Sequence, residues 1–305
     1  MKVILCFSGG GMLGLQSAYI VKEIEKKLGK KLINSVDFVA GTSIGSILAS
    51  LLNTGSNGTD CVNLFKNYGK KIFKKRFFGY LGIFKPRYSK NGIESVLKTV
   101  FNEKELKSGK VPILIPSYIL NTKQPYFFKS YEKETENISF FDAARSSSAA
   151  PSFFPAHLID NNLFWDGGVS QNNPSLCAFA DARKLFGKHE NFYVISIGCG
   201  KQKSKIDKYM SYLNCGIVKN LIGLFNALFV SSAEDVDYIM KELIGSNYIN
   251  LNCETDKLVE LDGVSDVDFF NLQENACQMI KTLEKDIEHA VGILKRNDKN
   301  YVECM

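Results

Sequence analysis

The stretch "VILCFSGGGMLG", residues 3–14, is a short apolar run that ends in a glycine-rich loop. A continuous apolar run of this length, bounded by glycines, predicts a buried strand of a parallel sheet. After the loop, apolar side chains recur at helical spacing over residues 15–28, with charged residues between them. A strand, a loop and a helix in this order predict the first unit of an α/β fold.

The glycine loop itself is open to two interpretations. Gly9, Gly11 and Gly14 fit the spacing G-x-G-x-x-G, which lets backbone approach a dinucleotide pyrophosphate. Such a site also needs an acidic residue at the end of the second strand, whereas Asp37 falls early in that strand. The same glycines could instead aim N–H groups at the oxyanion of an acyl transfer. We favour the oxyanion, because a dinucleotide site leaves two later motifs unexplained.

The rest of the chain continues the alternation of strands and helices. A second strand is expected at residues 36–40 and a buried helix at residues 43–53. Further strands are expected within residues 111–121, 125–129, 163–167 and 191–198, and further helices at residues 174–186 and, as one long amphipathic helix, at residues 271–295. Because no repeat, low-complexity tract or linker interrupts this pattern, we expect a single domain over residues 1–305.

The sequence "GTSIG", residues 41–45, fits G-x-S-x-G and lies between a predicted strand and a predicted helix. This is the context of a nucleophile elbow, in which glycines permit a sharp turn and the serine hydroxyl projects from it. Ser43 is therefore a candidate nucleophile. A serine at this position can also simply cap the helix, so the motif alone leaves both possibilities open.

A serine nucleophile requires a base that removes its proton. Of the three histidines, His189 and His289 lie in polar surroundings, and nothing around His157 suggests a base. The stronger candidate is Asp166 in "WDGG", which ends a short apolar strand. An Asp-Gly turn is the alternative interpretation of that stretch. A triad of Ser43, Asp166 and His189 would also fit the chain order of α/β-hydrolases.

Taken together, "SGGGMLG", "GTSIG" and "DGG" resemble the patatin-like phospholipases, and the resemblance extends through residues 143–186 and "VISIGCG". It implies a three-layer α/β sandwich with a central, mostly parallel sheet. It also implies a catalytic dyad without histidine, in which Ser43 is the nucleophile and Asp166 the general base. The implied oxyanion hole consists of the backbone N–H groups of Gly9, Gly10 and Gly11.

This resemblance implies a lipid acyl hydrolase of the phospholipase A type that works through an acyl-serine. We expect no cofactor and no metal site, and the sequence leaves calcium dependence open. The sequence departs from the family pattern at Ser8, where many members have Asp, and at Leu13, where many have Arg or Lys. The expected substrate is a phospholipid or another acyl lipid. The alternatives are the triad esterase with His189 and a non-catalytic lipid-binding or storage protein, and acyl transfer to another alcohol would use the same residues.

Charge and composition limit the expected partners. The formal net charge of +6 is too small to indicate a nucleic-acid-binding protein, but it suits a protein that meets anionic surfaces. Residues 66–90 hold nine basic and no acidic residues, interleaved with aromatic ones. They predict either a lid that contacts a membrane surface or a solvated loop. The eight cysteines form no C-x-x-C pair, which indicates reduced thiols and a cytoplasmic protein, peripheral at membranes.

Overall fold

The computed structural model describes residues 1–74, 86–203 and 217–297. The strands are β1 (Lys2–Phe7), β2 (Phe38–Gly41), β3 (Ile113–Ile119), β4 (Gln124–Lys129), β5 (His157–Ile159), β6 (Asn162–Asp166), β7 (Phe192–Ile197), β8 (Lys201–Gln202), β9 (Tyr248–Leu251) and β10 (Glu254–Thr255). The helices are α1 (Gly14–Leu28), α2 (Ile44–Asn53), α3 (Gly58–Ile72), α4 (Lys90–Phe101), α5 (Phe140–Ser147), α6 (Ser175–Phe186), α7 (Ile217–Ile244), α8 (Asp266–Thr282) and α9 (Glu284–Arg296).

The main sheet has eight strands in the order β5-β6-β3-β2-β1-β7-β9, with β4 paired to β3 as well. Strands β3, β2, β1, β7 and β9 run parallel to one another. The hairpin partner β4 and the β5–β6 pair join at β3 in antiparallel orientation. The predicted central, mostly parallel sheet is thus confirmed.

Side chains of the central strands alternate between two apolar layers, as expected for a sheet that is covered on both faces. Val3 and Leu5 of β1 point into a large cluster that includes α1, α2 and α5. Ile4 and Cys6 point into a second cluster with α6 and α7. The result is the predicted three-layer sandwich, with helices on either side of the sheet.

The expectation of one long helix over residues 271–295 was wrong. Helix α8 ends at Thr282, and α9 begins at Glu284. Leu283 leaves helical geometry between them, and its side chain is buried. Because α8 and α9 both pack on α1, the break lets each keep its apolar side against the same neighbour.

The basic and aromatic segment at residues 66–90 begins inside a helix, because residues 66–72 form the end of α3. The ring of Phe73 then packs against Tyr88 and Phe154, with centroid distances of 5.3 and 5.7 Å. Residues 75–85 lie outside the described residues, so the lid remains a prediction. Within the described ranges, no helix is long and apolar enough to span a bilayer, and the six cysteines found there are unpaired.

Candidate active site

Ser43 occupies a sharp turn between the end of β2 at Gly41 and the start of α2 at Ile44. Its φ of 55° lies in the left-handed region, which a non-glycine residue adopts only when its surroundings impose it. The turn brings α2 close to β1, and a Cβ at Gly45 would collide with the carbonyl oxygens of Phe7 and Ser8. The strained serine and the neighbouring glycine form the geometry that the elbow motif predicts.

Asp166 reaches Ser43 because of the register of the sheet. The start of β3 pairs with β2, and the later residues of β3 pair with β6, so that Ser117 lies opposite Asp166. Strand β6 therefore ends near the carboxyl end of β2, where Ser43 begins the next turn. The hydroxyl of Ser43 donates a hydrogen bond of 2.6 Å to Oδ2 of Asp166, across 123 residues of sequence.

The carboxyl group of Asp166 is completely buried. Its second oxygen, Oδ1, accepts a hydrogen bond of 2.8 Å from the N–H of Gly168. Burial disfavours the charged form and raises the pKa of Asp166 from its ordinary value of 3.8 to about 7, although the hydrogen bonds from Ser43 and Gly168 act in the opposite direction. A carboxylate with this pKa is a far stronger base near neutral pH than an exposed aspartate.

The glycine loop provides backbone donors beside Ser43, but not all three glycines have a free N–H. The N–H of Gly9 donates to the carbonyl of Asn172 at 3.2 Å. The N–H groups of Gly10 and Gly11 have no acceptor among the described residues. Gly10 precedes and Gly11 begins the short 3-10 turn that leads into α1. Helix N-termini of this kind carry unsatisfied donors that suit an anion.

Gly11 requires the absence of a side chain. Its φ is 56°, and a Cβ there would collide with the carbonyl oxygen of Leu261. Leu13, which occupies the position of a basic residue in many family members, is buried in the apolar core. The close packing of Gly11 against the backbone of Leu261 thus holds the loop, and residue 13 contributes no positive charge to it.

A third donor was missed by the sequence reasoning. Ile44 is the first residue of α2, and its N–H has no acceptor among the described residues. Ile44 lines the same cavity as Ser43, Gly10 and Gly11. The motif itself could have indicated it, because the residue after the nucleophile commonly supplies an oxyanion donor in elbows of this type.

The loop that follows Asp166 is tied to both other motifs. The hydroxyl of Thr42 donates to the carbonyl of Gln171 at 2.7 Å, and Asn172 accepts from Gly9 as described above. The side-chain amide of Asn172 donates to the carbonyl of Phe229 in α7 at 2.9 Å. These contacts fix the elbow, the glycine loop and the Asp166 loop relative to one another.

The alternative residues lie elsewhere. His189 is exposed and precedes β7, whose first residue pairs with Lys2 at the start of β1. It is therefore separated from the site by the length of β1, about 17 Å for six residues. Asp37 lies at the same distant end, where it accepts a hydrogen bond from Lys2 at 3.1 Å. His157 contacts Asp142 at 2.9 Å. The described residues contain no cluster of metal-ligating side chains.

An apolar cavity adjoins the Ser43 hydroxyl and the Asp166 carboxylate. Helices α2, α3 and α4 contribute most of its aliphatic walls, and aromatic side chains from other segments complete it. The lining side chains include Met12, Ile47, Leu64, Phe65, Ile72, Phe73, Ile93, Phe153, Phe154, Phe229 and Leu261. Such a lining suits a hydrocarbon chain, because apolar surface is removed from water on binding.

Comparisons with known proteins show the family to which the chain belongs. A family model described as patatin-like phospholipase matches residues 5–178. The chain is similar to a cGAMP-activated phospholipase of Pseudomonas aeruginosa, with 26% identity over 259 residues, 82% of this chain and 77% of that protein. It is also similar to patatin-like protein 2 of Oryza sativa subsp. indica, with 27% identity over 310 residues, 85% of this chain and 76% of that protein. Among solved structures, VipD of Legionella pneumophila aligns with a TM-score of 0.49 at 13% identity, covering 92% of this chain and 67% of that one.

Proposed function

Since this chain belongs to the patatin-like phospholipase family, we propose that Ser43 is the nucleophile and Asp166 the general base of a phospholipase A-type reaction. Membership of this family identifies the protein as a lipid-hydrolysing esterase. The observation that supports these two assignments is the hydrogen bond of 2.6 Å from the Ser43 hydroxyl to the buried Asp166 carboxylate. This contact joins a nucleophile to a base within proton-transfer distance.

In the first half of the proposed reaction, the Ser43 oxygen attacks the carbonyl carbon of the ester while Asp166 takes the hydroxyl proton. The C=O bond becomes a C–O⁻ single bond in a tetrahedral intermediate. When this intermediate collapses, the bond to the alcohol breaks, and protonated Asp166 gives its proton to the departing alkoxide. An acyl-serine and a free lysolipid or alcohol remain.

In the second half, a water molecule attacks the acyl-serine while Asp166 takes one of its protons. The second tetrahedral intermediate collapses to a free fatty acid, and Asp166 returns the proton to the Ser43 oxygen. Asp166 thus alternates between base and acid, which requires a pKa near the working pH. The raised pKa of about 7 supports this role.

The negative oxygen of both intermediates needs hydrogen-bond donors. We assign this role to the N–H groups of Gly10 and Gly11 and add Ile44, because these three residues line the cavity at Ser43. Gly9 has a structural role instead, since its N–H already donates to Asn172. In other acyl-transfer enzymes the loss of one oxyanion donor costs about 3–4 kcal/mol of transition-state stabilisation.

The cavity supports an acyl lipid as the substrate. Its lining is almost entirely aliphatic and aromatic, so the fatty acyl chain would enter it while the ester carbonyl remains at Ser43. Three similar proteins are named cGAMP-activated phospholipases, and we infer a phospholipid substrate from a membrane surface for this chain as well. The triad with His189 is disfavoured, because that residue lies at the opposite end of the sheet from Ser43.

The test is the Ser43→Ala variant, assayed on phospholipid vesicles with the released fatty acids measured by mass spectrometry. We expect loss of hydrolysis with an unchanged thermal unfolding profile. Ser50→Ala is the matched control, because Ser50 is buried in α2, the helix that begins directly after Ser43, and its hydroxyl has no partner among the described residues. Hydrolysis at the wild-type rate by a folded Ser43→Ala protein would contradict the assignment.

A further inference from the structure

The outward side of α3 lies next to the first turn of α8, and both carry exposed side chains. Lys66 and Lys70 are exposed and four residues apart, so they lie on one side of α3, and Lys74, which is also exposed, follows the end of the helix. Beside them, Val267 and Phe270 of α8 are 67% and 63% exposed. We call these five residues the docking face.

An ion pair brings the two parts of the docking face together. Nζ of Lys70 lies 2.6 Å from Oδ1 of Asp266, the first residue of α8. Both partners of this pair are well exposed, so the pair contributes little to stability. The first turn of α8 contributes two carboxylates, Asp266, which pairs with Lys70, and Asp268, which accepts a hydrogen bond from the Ser265 hydroxyl. Lys66 and Lys74 have no carboxylate partner among the described residues, so the three lysines outnumber these carboxylates and a small positive charge remains.

The docking face is the outer side of the cavity wall. On the inner side of α3, Phe65, Gly69 and Ile72 line the cavity at Ser43. On the inner side of α8, the ring of Phe269 packs close to Gly69. Only the thickness of one helix, about 10 Å, therefore separates the docking face from the cavity.

A second exposed apolar surface differs in charge. Tyr238 and Leu243 of α7 are 68% and 56% exposed, on the opposite side of the sheet. Their exposed charged neighbours on α7 are Glu234, Asp235, Lys241 and Glu242, so that acidic residues outnumber basic ones there. An anionic surface would be repelled there and attracted to the lysines of the docking face.

We propose that the docking face seats the protein on a bilayer that contains anionic lipid. Lysines attract anionic head groups electrostatically, and aliphatic and aromatic side chains insert at the boundary between head groups and acyl chains. A bilayer in this position is next to the cavity wall, so a lipid has a short path to Ser43. This inference rests on the proposed function, because it supplies the surface from which the substrate is drawn.

The test measures vesicle binding in a Ser43→Ala background, in which no lipid is consumed. The vesicles are phosphatidylcholine alone or phosphatidylcholine with phosphatidylglycerol, and binding is measured by co-sedimentation. Lys66→Ala with Lys74→Ala should weaken binding to the anionic vesicles about 25-fold, at about 1 kcal/mol per lysine. Val267→Ser with Phe270→Ser should weaken it at least tenfold. The thermal unfolding midpoint of each variant checks its fold.

The matched controls lie on the other side of the sheet. Tyr238→Ser with Leu243→Ser removes two equally exposed apolar side chains, and Lys184→Ala with Lys188→Ala removes two exposed lysines. Both controls should bind vesicles like the parent protein. The proposal is overturned if docking-face variants bind normally, if the controls lose binding equally, or if the docking-face changes abolish self-association in analytical ultracentrifugation and leave vesicle binding intact.

Failure of this proposal can be told apart from failure of the proposed function. The wild-type protein is assayed in parallel on a water-soluble chromogenic ester, which needs no bilayer. If ester hydrolysis depends on Ser43 but the docking-face variants bind vesicles like the parent protein, only the docking-face proposal is rejected. If the docking-face variants lose vesicle binding but the wild-type protein hydrolyses no ester, the catalytic assignment is rejected and the docking-face proposal stands.

Discussion

Replacing the buried carboxylate of Asp166 by an amide should stabilise the fold while it abolishes hydrolysis. Asp166→Asn preserves the shape of the side chain and removes its charge. In the folded protein the pKa of Asp166 is raised to about 7 from its ordinary 3.8. The folded state therefore binds the proton more tightly than the unfolded state, and the stability associated with Asp166 is lost as the pH rises from about 4 to about 7.

The difference between the two pKa values sets the expected size of this effect. The ionised carboxylate costs about 4 kcal/mol of unfolding free energy at pH 8, relative to the protonated form. At pH 5 the cost is about 2 kcal/mol, because the folded state keeps the proton there. The difference in unfolding free energy between Asp166→Asn and the wild type should therefore increase by about 2 to 3 kcal/mol, in favour of the variant, from pH 5 to pH 8.

Urea unfolding of both proteins at pH 5 and pH 8 measures this change in the stability difference. Asp142→Asn is the control, because contacts that include the hydrogen bond with His157 lower the pKa of Asp142, against the effect of its burial. That variant should lose stability at pH 8. An advantage of Asp166→Asn that is equal at pH 5 and pH 8 would refute the argument, since the carboxylate would then have an ordinary pKa in the folded protein.

Three further results are expected. In the wild type, kcat/KM should fall about tenfold per pH unit below about pH 7, as Asp166 becomes protonated; a flat profile between pH 5 and 7 would exclude it as the base. His189→Ala should leave ester hydrolysis unchanged, because this exposed residue lies at the far end of β1; a large loss of kcat would revive the triad. Gly45→Ala should destabilise the protein by about 3 kcal/mol through overlap with Phe7 and Ser8. In Gly292→Ala, by contrast, the added methyl group meets nothing within 4 Å, and thermal unfolding should show a small gain.

The positions of Ser43 and Asp166 could be predicted because each lies in a short local pattern with its own structural meaning. The elbow requires glycines on both sides of the serine, and an Asp-Gly-Gly sequence ends a strand with a sharp turn. Their contact could not be worked out from either pattern alone, since it depends on β3 pairing with two different strands along its length. The resemblance to a family supplied that long-range information.

The occupancy of the backbone donors could not be predicted. Gly9, Gly10 and Gly11 are identical in sequence, yet only Gly9 lies within hydrogen-bond distance of the carbonyl of Asn172. That contact is made by a loop more than 160 residues away in the sequence. Which of several equivalent N–H groups is free is therefore a property of the tertiary structure.

The helices missed by the sequence analysis have a similar explanation. Helix α3 is not among the helices expected from the sequence, and only its last part, residues 66–72, falls in the basic segment. Gly58 and Gly69 lower its intrinsic helix propensity. In the fold, Gly69 lies where a Cβ would crowd the side chains of Met12 and Phe269. The break at Leu283 likewise depends on the packing of α8 and α9 against α1, which apolar periodicity along the chain does not encode.

The burial of Asp166 connects the stability and the proposed chemistry of the site. A catalytic histidine is an effective base near neutral pH because its ordinary pKa is about 6.5. An ordinary aspartate has a pKa of about 4 and holds a proton too weakly for the same work. Complete burial raises the pKa of Asp166 to about 7, into the range of histidine. The same burial lowers the free energy of unfolding by about 4 kcal/mol at high pH. It also gives Asp166 a basicity that an aspartate in water lacks, which the proposed role as general base requires. A second-site change that admits water to Asp166 should then raise stability at high pH and lower kcat together.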